Sequence, residues 1–160
     1  MRQAKNIVLV GCLIFLAGCS AMRSRGPSFE PAPEAKSDNL AILYIYRVGA
    51  YPTLRAPDIS VDGHKIFSPS EEDYTWIYLP KGKHYIKFDW AWDTGWPDVD
   101  FVIDLSDKKE FFLKVTGSYT PKSDGAYEAG SIARVISPEN AKIELKSCCG
   151  YRKPTVNEVE

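Results

Sequence analysis

Residues 40–47 read Leu40-Ala41-Ile42-Leu43-Tyr44-Ile45-Tyr46-Arg47, a nearly continuous run of β-prone side chains. A strand with one face in water alternates apolar and polar residues, whereas this run is apolar or aromatic at almost every position. The run therefore predicts a strand that is buried on both faces.

Downstream of this run, short β-prone segments alternate with turn signals. Asp62-Gly63, between two such segments, is the strongest short-range signal for a hairpin. Ser137 followed by Pro138 predicts a helix start, with serine as the N-cap and proline at the first position. Turn residues recur roughly every eight to twelve positions, which is typical of a β-sandwich. The sequence therefore predicts a mainly β fold: an antiparallel β-sandwich of about eight strands with one short C-terminal helix.

Length and charge restrict the class of protein. The chain has 160 residues and a formal net charge of −1, which fits one domain with a tether. A mildly acidic chain without a basic stripe argues against a nucleic-acid partner and against electrostatic adhesion to anionic lipid.

The N-terminus carries a secretory signal that ends in a cysteine. Arg2 and Lys5 form a positive n-region, and an apolar run over residues 7–16 leads into Leu16-Ala17-Gly18-Cys19. The apolar run is much shorter than the roughly twenty residues that span a bilayer. Leu16–Cys19 resembles the lipobox of bacterial lipoproteins. The resemblance implies cleavage before Cys19, acylation of its sulfur and new amine, and attachment to a membrane by lipid. The alternatives are an uncleaved anchor and a soluble secreted protein.

A polar, proline-rich stretch separates this signal from the β-prone region. Residues 20–38 contain three prolines, several serines and no apolar periodicity, a composition that predicts a flexible tether. The predicted divisions are a signal peptide over residues 1–18, a lipidated tether over 19–38, a β-sandwich domain over 39–150 and a loose polar tail over 151–160.

Three segments of the domain carry a family resemblance. They are the strand Ala41–Arg47, the hairpin Ile59–Ile66 around Asp62-Gly63, and the turn Tyr78–His84, which reads Leu-Pro-x-Gly-x-His after its tyrosine. In this order they resemble the DUF2846 group of bacterial lipoproteins and secreted domains, and the turn is shared with PEGA-type surface domains. The resemblance covers about residues 40–92. It implies a small β-sandwich at the cell envelope and supplies no catalytic residues.

Aromatic side chains are the strongest candidates for a binding site. A flat aromatic surface can stack on sugar rings, whereas rings in phase along a strand more often belong to the core. Phe88, Trp90 and Trp92 are in phase on a strand predicted over residues 84–92, and Trp96 sits in a turn, where it is expected to be the most exposed. The candidate ligand-binding aromatics are Trp76, Trp92 and Trp96.

Cys148 and Cys149 are neighbours at the end of the predicted helix. In an oxidising compartment they can form a vicinal disulfide, pair with another chain, or stay as reduced or buried thiols. Neighbouring Cα atoms are only about 3.8 Å apart, which is shorter than an ordinary disulfide prefers. A disulfide-linked dimer is therefore favoured over a ring between neighbours.

The sequence contains neither a Gly-x-Ser-x-Gly elbow nor a phosphate-binding glycine loop. His64 and His84 each follow a turn and are expected to be exposed loop histidines. The acidic residues at 71–73, and Asp98, Asp100 and Asp104, are expected to be solvated, because calcium sites and glycosidases need carboxylates that converge from different segments. We predict no catalytic residue, no metal site and no cofactor.

These patterns together predict a lipid-anchored lipoprotein of the cell envelope with a non-catalytic binding or structural domain. Ser20 follows Cys19, which in lipoprotein sorting implies the outer membrane, with the domain facing the periplasm. The expected partners are the membrane, through the lipid, and cell-wall glycan or another envelope protein. The alternative is a glycan-binding module that uses exposed tryptophan and tyrosine, and the third hypothesis is a hydrolase.

Overall fold

The computed structural model describes residues 26–49 and 55–156. These residues form nine strands, one α-helix and a short 3-10 turn, so the prediction of a mainly β chain with a C-terminal helix is confirmed. The elements are β1 (Leu40–Arg47), β2 (Asp58–Val61), β3 (His64–Phe67), β4 (Asp73–Pro80), β5 (Lys83–Asp89), the 3-10 turn (Trp92–Thr94), β6 (Val99–Asp104), β7 (Glu110–Pro121), β8 (Tyr127–Ile136), α1 (Pro138–Cys148) and β9 (Gly150–Tyr151).

The strands form two sheets. The five-stranded sheet has the order β8-β7-β1-β4-β9, and the four-stranded sheet has the order β3-β2-β5-β6. Most pairs are antiparallel, as expected, but β1–β7 and β4–β9 are parallel. The physical reason is connectivity: after β4 the chain crosses to the four-stranded sheet and returns by a long connection, which is what a parallel pair requires.

Strand β1 is buried on both faces, as its sequence predicted. Ala41, Leu43 and Ile45 lie in the core between the two sheets. Tyr44 and Tyr46, in the other phase, lie in a second apolar cluster on the outer face of the five-stranded sheet. That cluster also holds Ala141 and Leu145, which form the buried face of α1. The fold therefore has three layers at this sheet, and β1 is in the middle one.

The predicted hairpin is confirmed at Asp62-Gly63, which joins β2 to β3. The φ angles are 49° at Asp62 and 82° at Gly63, and a two-residue turn of this kind needs positive φ at both positions. The predicted turn at residues 80–83 joins strands of different sheets and is therefore a crossover rather than a hairpin.

Strand β5 ends at Asp89, three residues before its predicted end at Trp92. The backbone N–H of Trp90 donates to Asp98 Oδ1 at 3.0 Å instead of continuing the ladder. The next residues enter the 3-10 turn, so Trp92 leaves the phase of Phe88 and Trp90.

Both ends of the described chain pack against the sheets, whereas the sequence predicted that they are flexible. Residues 26–38, expected to be tether, lie against the five-stranded sheet, and Phe29 is buried. In the predicted loose tail, Tyr151 completes β9 with Gly150, and the following residues reach the other sheet, where Thr155 N–H donates to the Ile66 carbonyl at 2.7 Å. The prediction for residues 1–25, including Cys19, and for 157–160 lies outside the described residues. Among the residues described, no helix is long and apolar enough to cross a membrane.

Candidate functional site

A row of aromatic rings covers part of the outer face of the five-stranded sheet. Successive residues of a strand point to opposite faces, so Trp76 and Tyr78 of β4 lie on the same side as Tyr151 of β9. Their ring centroids are 5.3 Å apart for Trp76–Tyr78 and 6.0 Å apart for Trp76–Tyr151. All three rings are partly exposed. We call these three residues the aromatic platform.

Residues 26–38 cross the same face beside the aromatic platform, and we call them the N-terminal strap. Three tyrosine hydroxyls of the sheet form hydrogen bonds with the backbone of the strap. The bonds are Glu30 N–H to Tyr74 Oη (3.1 Å), Ala32 N–H to Tyr44 Oη (2.9 Å) and Tyr78 O–H to the Pro33 carbonyl (3.0 Å). The strap is thus positioned by the hydroxyl groups of two buried tyrosines, Tyr44 and Tyr74, and of the partly exposed Tyr78.

Phe29 is the apolar anchor of the strap. Its ring centroid lies 5.4 Å from that of Tyr74 and 6.2 Å from that of Tyr44, in tilted arrangements that aromatic rings prefer. Burying a side chain of this size stabilises by about 1.5–3 kcal/mol. The polar composition of residues 20–38 concealed this contact, because a single phenylalanine produces no periodicity.

The tyrosine hydroxyls of this face stay protonated at physiological pH. Burial raises the pKa of Tyr44 to about 12, opposed in part by the hydrogen bond from the Ala32 amide. Burial also raises the pKa of Tyr74. Neutral hydroxyls can donate as well as accept, so this face offers polar contacts without charge.

Helix α1 is fastened to the same sheet through charged groups. Tyr46 O–H donates to Glu144 Oε2 at 2.8 Å, and Lys114 Nζ lies 3.0 Å from the same oxygen. Burial, followed by the bond to Glu144, raises the pKa of Tyr46. A second pair, Lys142 with Glu110 at 2.6 Å, holds the helix further along. A cleft of about 430 Å³ lies beside the helix. Lys114 and Glu144 both line it, and they are paired with each other.

Arg47, at the end of β1, is fully buried. Its Nη1 donates to the carbonyl oxygens of Arg55 (2.6 Å) and Pro69 (3.1 Å), and its Cζ lies 5.5 Å from the centroid of the Trp90 ring. Burial lowers the pKa of Arg47, and Glu71 and Asp73 oppose this effect. Arg47 thus links the segments that contain Arg55 and Pro69 at the end of the sandwich where β1 ends. We call this end the loop end. The signal that the sequence offered was a charge at the end of an otherwise apolar strand.

The expectation that the acidic residues at 71–73 are solvated is wrong for Asp73. Asp73 is buried, and its two oxygens accept from Ser70 N–H and from Arg152 Nε, both at 3.0 Å. Arg152 comes from the predicted tail, so the partner of Asp73 could not be found by its position in the sequence.

The three candidate tryptophans do not form one site. Trp76 belongs to the aromatic platform, whereas Trp92 and Trp96 belong to the loop that follows β5. Trp92 is 93% exposed and Trp96 is 5% exposed, so the expectation that Trp96 is the most exposed ring is wrong. The physical reason is that the loop folds back and packs Trp96 against Trp90, with ring centroids 4.9 Å apart.

The expectation for His84 is also wrong, whereas His64 is exposed as expected. His84 is buried on β5, with Nδ1 2.7 Å from Asp62 Oδ2 and Nε2 2.7 Å from the Pro80 carbonyl oxygen. Both ring nitrogens thus lie within hydrogen-bond distance of an oxygen acceptor. The histidine therefore fastens the β2–β3 turn to the crossover between the sheets.

Cys148 and Cys149 are joined in a vicinal disulfide. The expectation of an interchain bond, favoured because neighbouring Cα atoms lie close together, is therefore corrected. Cys149 is buried and Cys148 is partly exposed, at the junction between α1 and β9. The bond thus lies where the chain passes from the last turn of the helix into β9.

The remaining carboxylates do not converge. Asp98, Asp100 and Asp104 are exposed, as expected for a solvated strand face. Asp100 accepts a hydrogen bond from the Tyr85 hydroxyl at 2.6 Å. Within residues 26–49 and 55–156, no group of three or more histidine, cysteine, aspartate or glutamate side chains is arranged to hold a metal ion.

Comparison of the chain with family models, with curated proteins and with solved structures finds no match. The resemblance to the DUF2846 group therefore stays a prediction that rests on the three quoted segments.

Proposed function

We propose that the protein is a lipid-anchored lipoprotein of the bacterial cell envelope, and that its β-sandwich has a non-catalytic binding or structural role. The observation that carries the proposal is the sequence Leu16-Ala17-Gly18-Cys19, placed directly after a charged n-region and an apolar run. A thiol at this position is what lipoprotein acylation requires, and two or three acyl chains anchor a protein almost permanently.

The way the chain enters the domain supports this proposal. The N-terminal strap is packed from Gly26 onward, so only residues 20–25 separate Cys19 from the fold. At about 3.6 Å per residue, this stretch reaches no more than roughly 25 Å. A lipid on Cys19 would therefore hold the domain close to the membrane surface.

The geometry of the polar groups supports a role without catalysis. His84 has both ring nitrogens bonded, and the buried Asp73 bonds through both oxygens. A general base must be free to take a proton from a substrate within hydrogen-bond reach. These two side chains instead join segments of the fold.

Metabolic labelling with palmitate tests the anchor. Wild-type protein and Cys12→Ser, which alters only the apolar run, should both carry label, whereas Cys19→Ser should accumulate as unlabelled precursor. Label on Cys19→Ser overturns the proposal.

The proposed destination is the outer membrane, because the residue after Cys19 is Ser20. Density-gradient separation of the two membranes should place the protein in the outer-membrane fraction. Ser20→Asp, which changes only this position, should shift it toward the inner membrane. If the wild-type protein and Ser20→Asp are both found in the inner membrane, the proposed sorting is wrong.

A second candidate function is glycan binding, and one observation favours it: the aromatic platform offers three adjacent, partly exposed rings. Flat aromatic surfaces of this kind can stack on sugar rings. Isothermal titration with soluble cell-wall fragments should give heat with the wild-type protein and lose it with Trp76→Ala. Trp92→Ala, which alters a ring outside the platform, is the matched control. No heat with the wild-type protein contradicts this function.

A further inference from the structure

Trp92 is the most exposed large apolar side chain among the described residues, at 93%. Tryptophan has an apolar body and one polar N–H, which is why it concentrates at membrane–water interfaces. Its neighbours Trp90 and Trp96 are buried, so the exposure of Trp92 is not a property of the whole loop.

Hydrogen bonds on either side of Trp92 order the backbone of its loop. Asp98 accepts from Trp90 N–H, and Thr94 bonds the Ala91 carbonyl through its amide (2.9 Å) and its hydroxyl (2.7 Å). Trp96 N–H in turn donates to Thr94 Oγ1 at 3.1 Å. Presenting a ring from an ordered loop reduces the entropy that is lost when the ring is bound.

Trp92 also lies at the end of the sandwich where the N-terminal strap begins. Gly26 and Gly150 are in backbone contact, since a methyl group on Gly150 would lie 2.6 Å from Gly26 N. Gly150 N–H donates to Glu72 O, and Glu72 N–H donates to Arg47 O, both at 2.9 Å. Arg47 packs on Trp90, two residues before Trp92. A continuous series of contacts thus runs from the start of the strap to this loop.

The acidic groups of the loop are paired. Asp93 forms an ion pair with Arg55, and Asp98 lies 3.5 Å from Lys87 Nζ. Pairing of this kind lowers the repulsion that isolated carboxylates would meet at a phospholipid surface.

We infer that Trp92 is a membrane-interface anchor, which inserts into the headgroup region of the same phospholipid surface that holds the lipid on Cys19. The inference rests on the proposed lipid anchor. The short connection over residues 20–25 keeps the loop end near the membrane, and the exposed ring then fixes which end of the domain faces it.

The test uses the full lipidated chain in phosphatidylcholine vesicles whose acyl chains carry bromine close to the headgroups. Bromine quenches tryptophan emission on contact. Because Trp92 is one of four tryptophans, quenching should remove up to about one quarter of the emission, as expected for a single interfacial ring. Trp92→Phe should lose this quenching, whereas the matched variant Trp76→Phe should retain it.

Flotation of the vesicles on a density gradient separates the two proposals. Protein that floats without quenching of Trp92 overturns the present inference and leaves the lipid anchor intact. Protein that fails to float overturns the lipid anchor and this inference with it. If Trp92 emission responds to soluble cell-wall fragments but not to brominated lipid, the ring binds glycan and the membrane assignment is wrong.

Discussion

His84 Nδ1 lies 2.7 Å from Asp62 Oδ2, and this contact joins a buried position on β5 to the tip of the β2–β3 hairpin. The other ring nitrogen, Nε2, faces the Pro80 carbonyl, which lies at the end of β4 in the opposite sheet. A single side chain therefore connects the hairpin turn with the crossover between the two sheets.

We expect His84→Phe to lower the free energy of unfolding by about 1–3 kcal/mol, because the acceptors at Asp62 and Pro80 lose their partners. Urea denaturation followed by fluorescence measures the change. The matched control is His64→Phe, at an exposed position, which should stay within about 0.5 kcal/mol of the wild-type protein. Equal stability of the two variants contradicts the role of His84.

The Asp62 carboxylate should make this contact sensitive to acid. Burial raises the pKa of Asp62, but the hydrogen bonds from His84 and the Tyr85 amide outweigh it and hold the pKa below the usual range. A lowered folded-state pKa means that the stabilisation is complete above the unfolded value of about 3.9 and is lost as the pH falls below it. The stability difference between wild type and Asp62→Asn should therefore narrow as the pH falls below about 4. Unfolding curves at several pH values measure it, and a difference that stays constant contradicts the prediction.

Arg47 should be among the most sensitive positions in the protein. Arg47→Met removes a buried cation that bonds two carbonyl groups, and we expect a loss of about 3 kcal/mol. Arg55→Ala removes an arginine whose side chain is 57% exposed, and a loss of at most about 1 kcal/mol is expected. Thermal unfolding of both variants distinguishes these outcomes, and similar melting temperatures would show that Arg47 does not hold the loop end together.

Phe29→Ala should release the N-terminal strap from the sheet while the sandwich stays folded. Without its apolar anchor, the strap loses about 3–5 kcal/mol of packing, and the amides of Glu30 and Ala32 should exchange with solvent faster. Hydrogen–deuterium exchange measures this directly. Glu34→Ala changes an exposed strap residue and should leave the exchange unchanged. Protection that persists in Phe29→Ala would mean that the tyrosine hydroxyls alone hold the strap.

The cysteine pair should behave as one intrachain disulfide. Protein alkylated without reduction should carry no label at Cys148 or Cys149, and reduction before alkylation should add two labels in the mass spectrum. Non-reducing electrophoresis should show a monomer. A dimer that dissociates on reduction would contradict the disulfide between Cys148 and Cys149.

Local sequence predicted most elements because the signals were local. The turn at Asp62-Gly63 follows from the φ angles that those residues tolerate, and the helix start at Ser137 follows from capping, with Ser137 Oγ accepting from Asn140 N–H. The dense apolar run of β1 correctly predicted burial on both faces.

Pairings between distant segments were decided only by the tertiary structure. Periodicity reports which face of a strand is apolar, but it does not report which strand lies beside it. The parallel pairing of β1 with β7 therefore could not be read from either segment. The same holds for Trp96, because its burial depends on a loop that folds back onto Trp90.

By itself the sequence predicted the hairpin, the helix and most of the strands, since each depends on neighbouring residues, and it carries the proposal of lipidation at Cys19. Only the tertiary structure decided which polar groups are buried, because burial of Arg47, Asp73 and His84 requires partners that are distant in sequence. The same reason explains the N-terminal strap. Its composition is that of a flexible tether, but three tyrosine hydroxyls and one buried phenylalanine supply the contacts that order it.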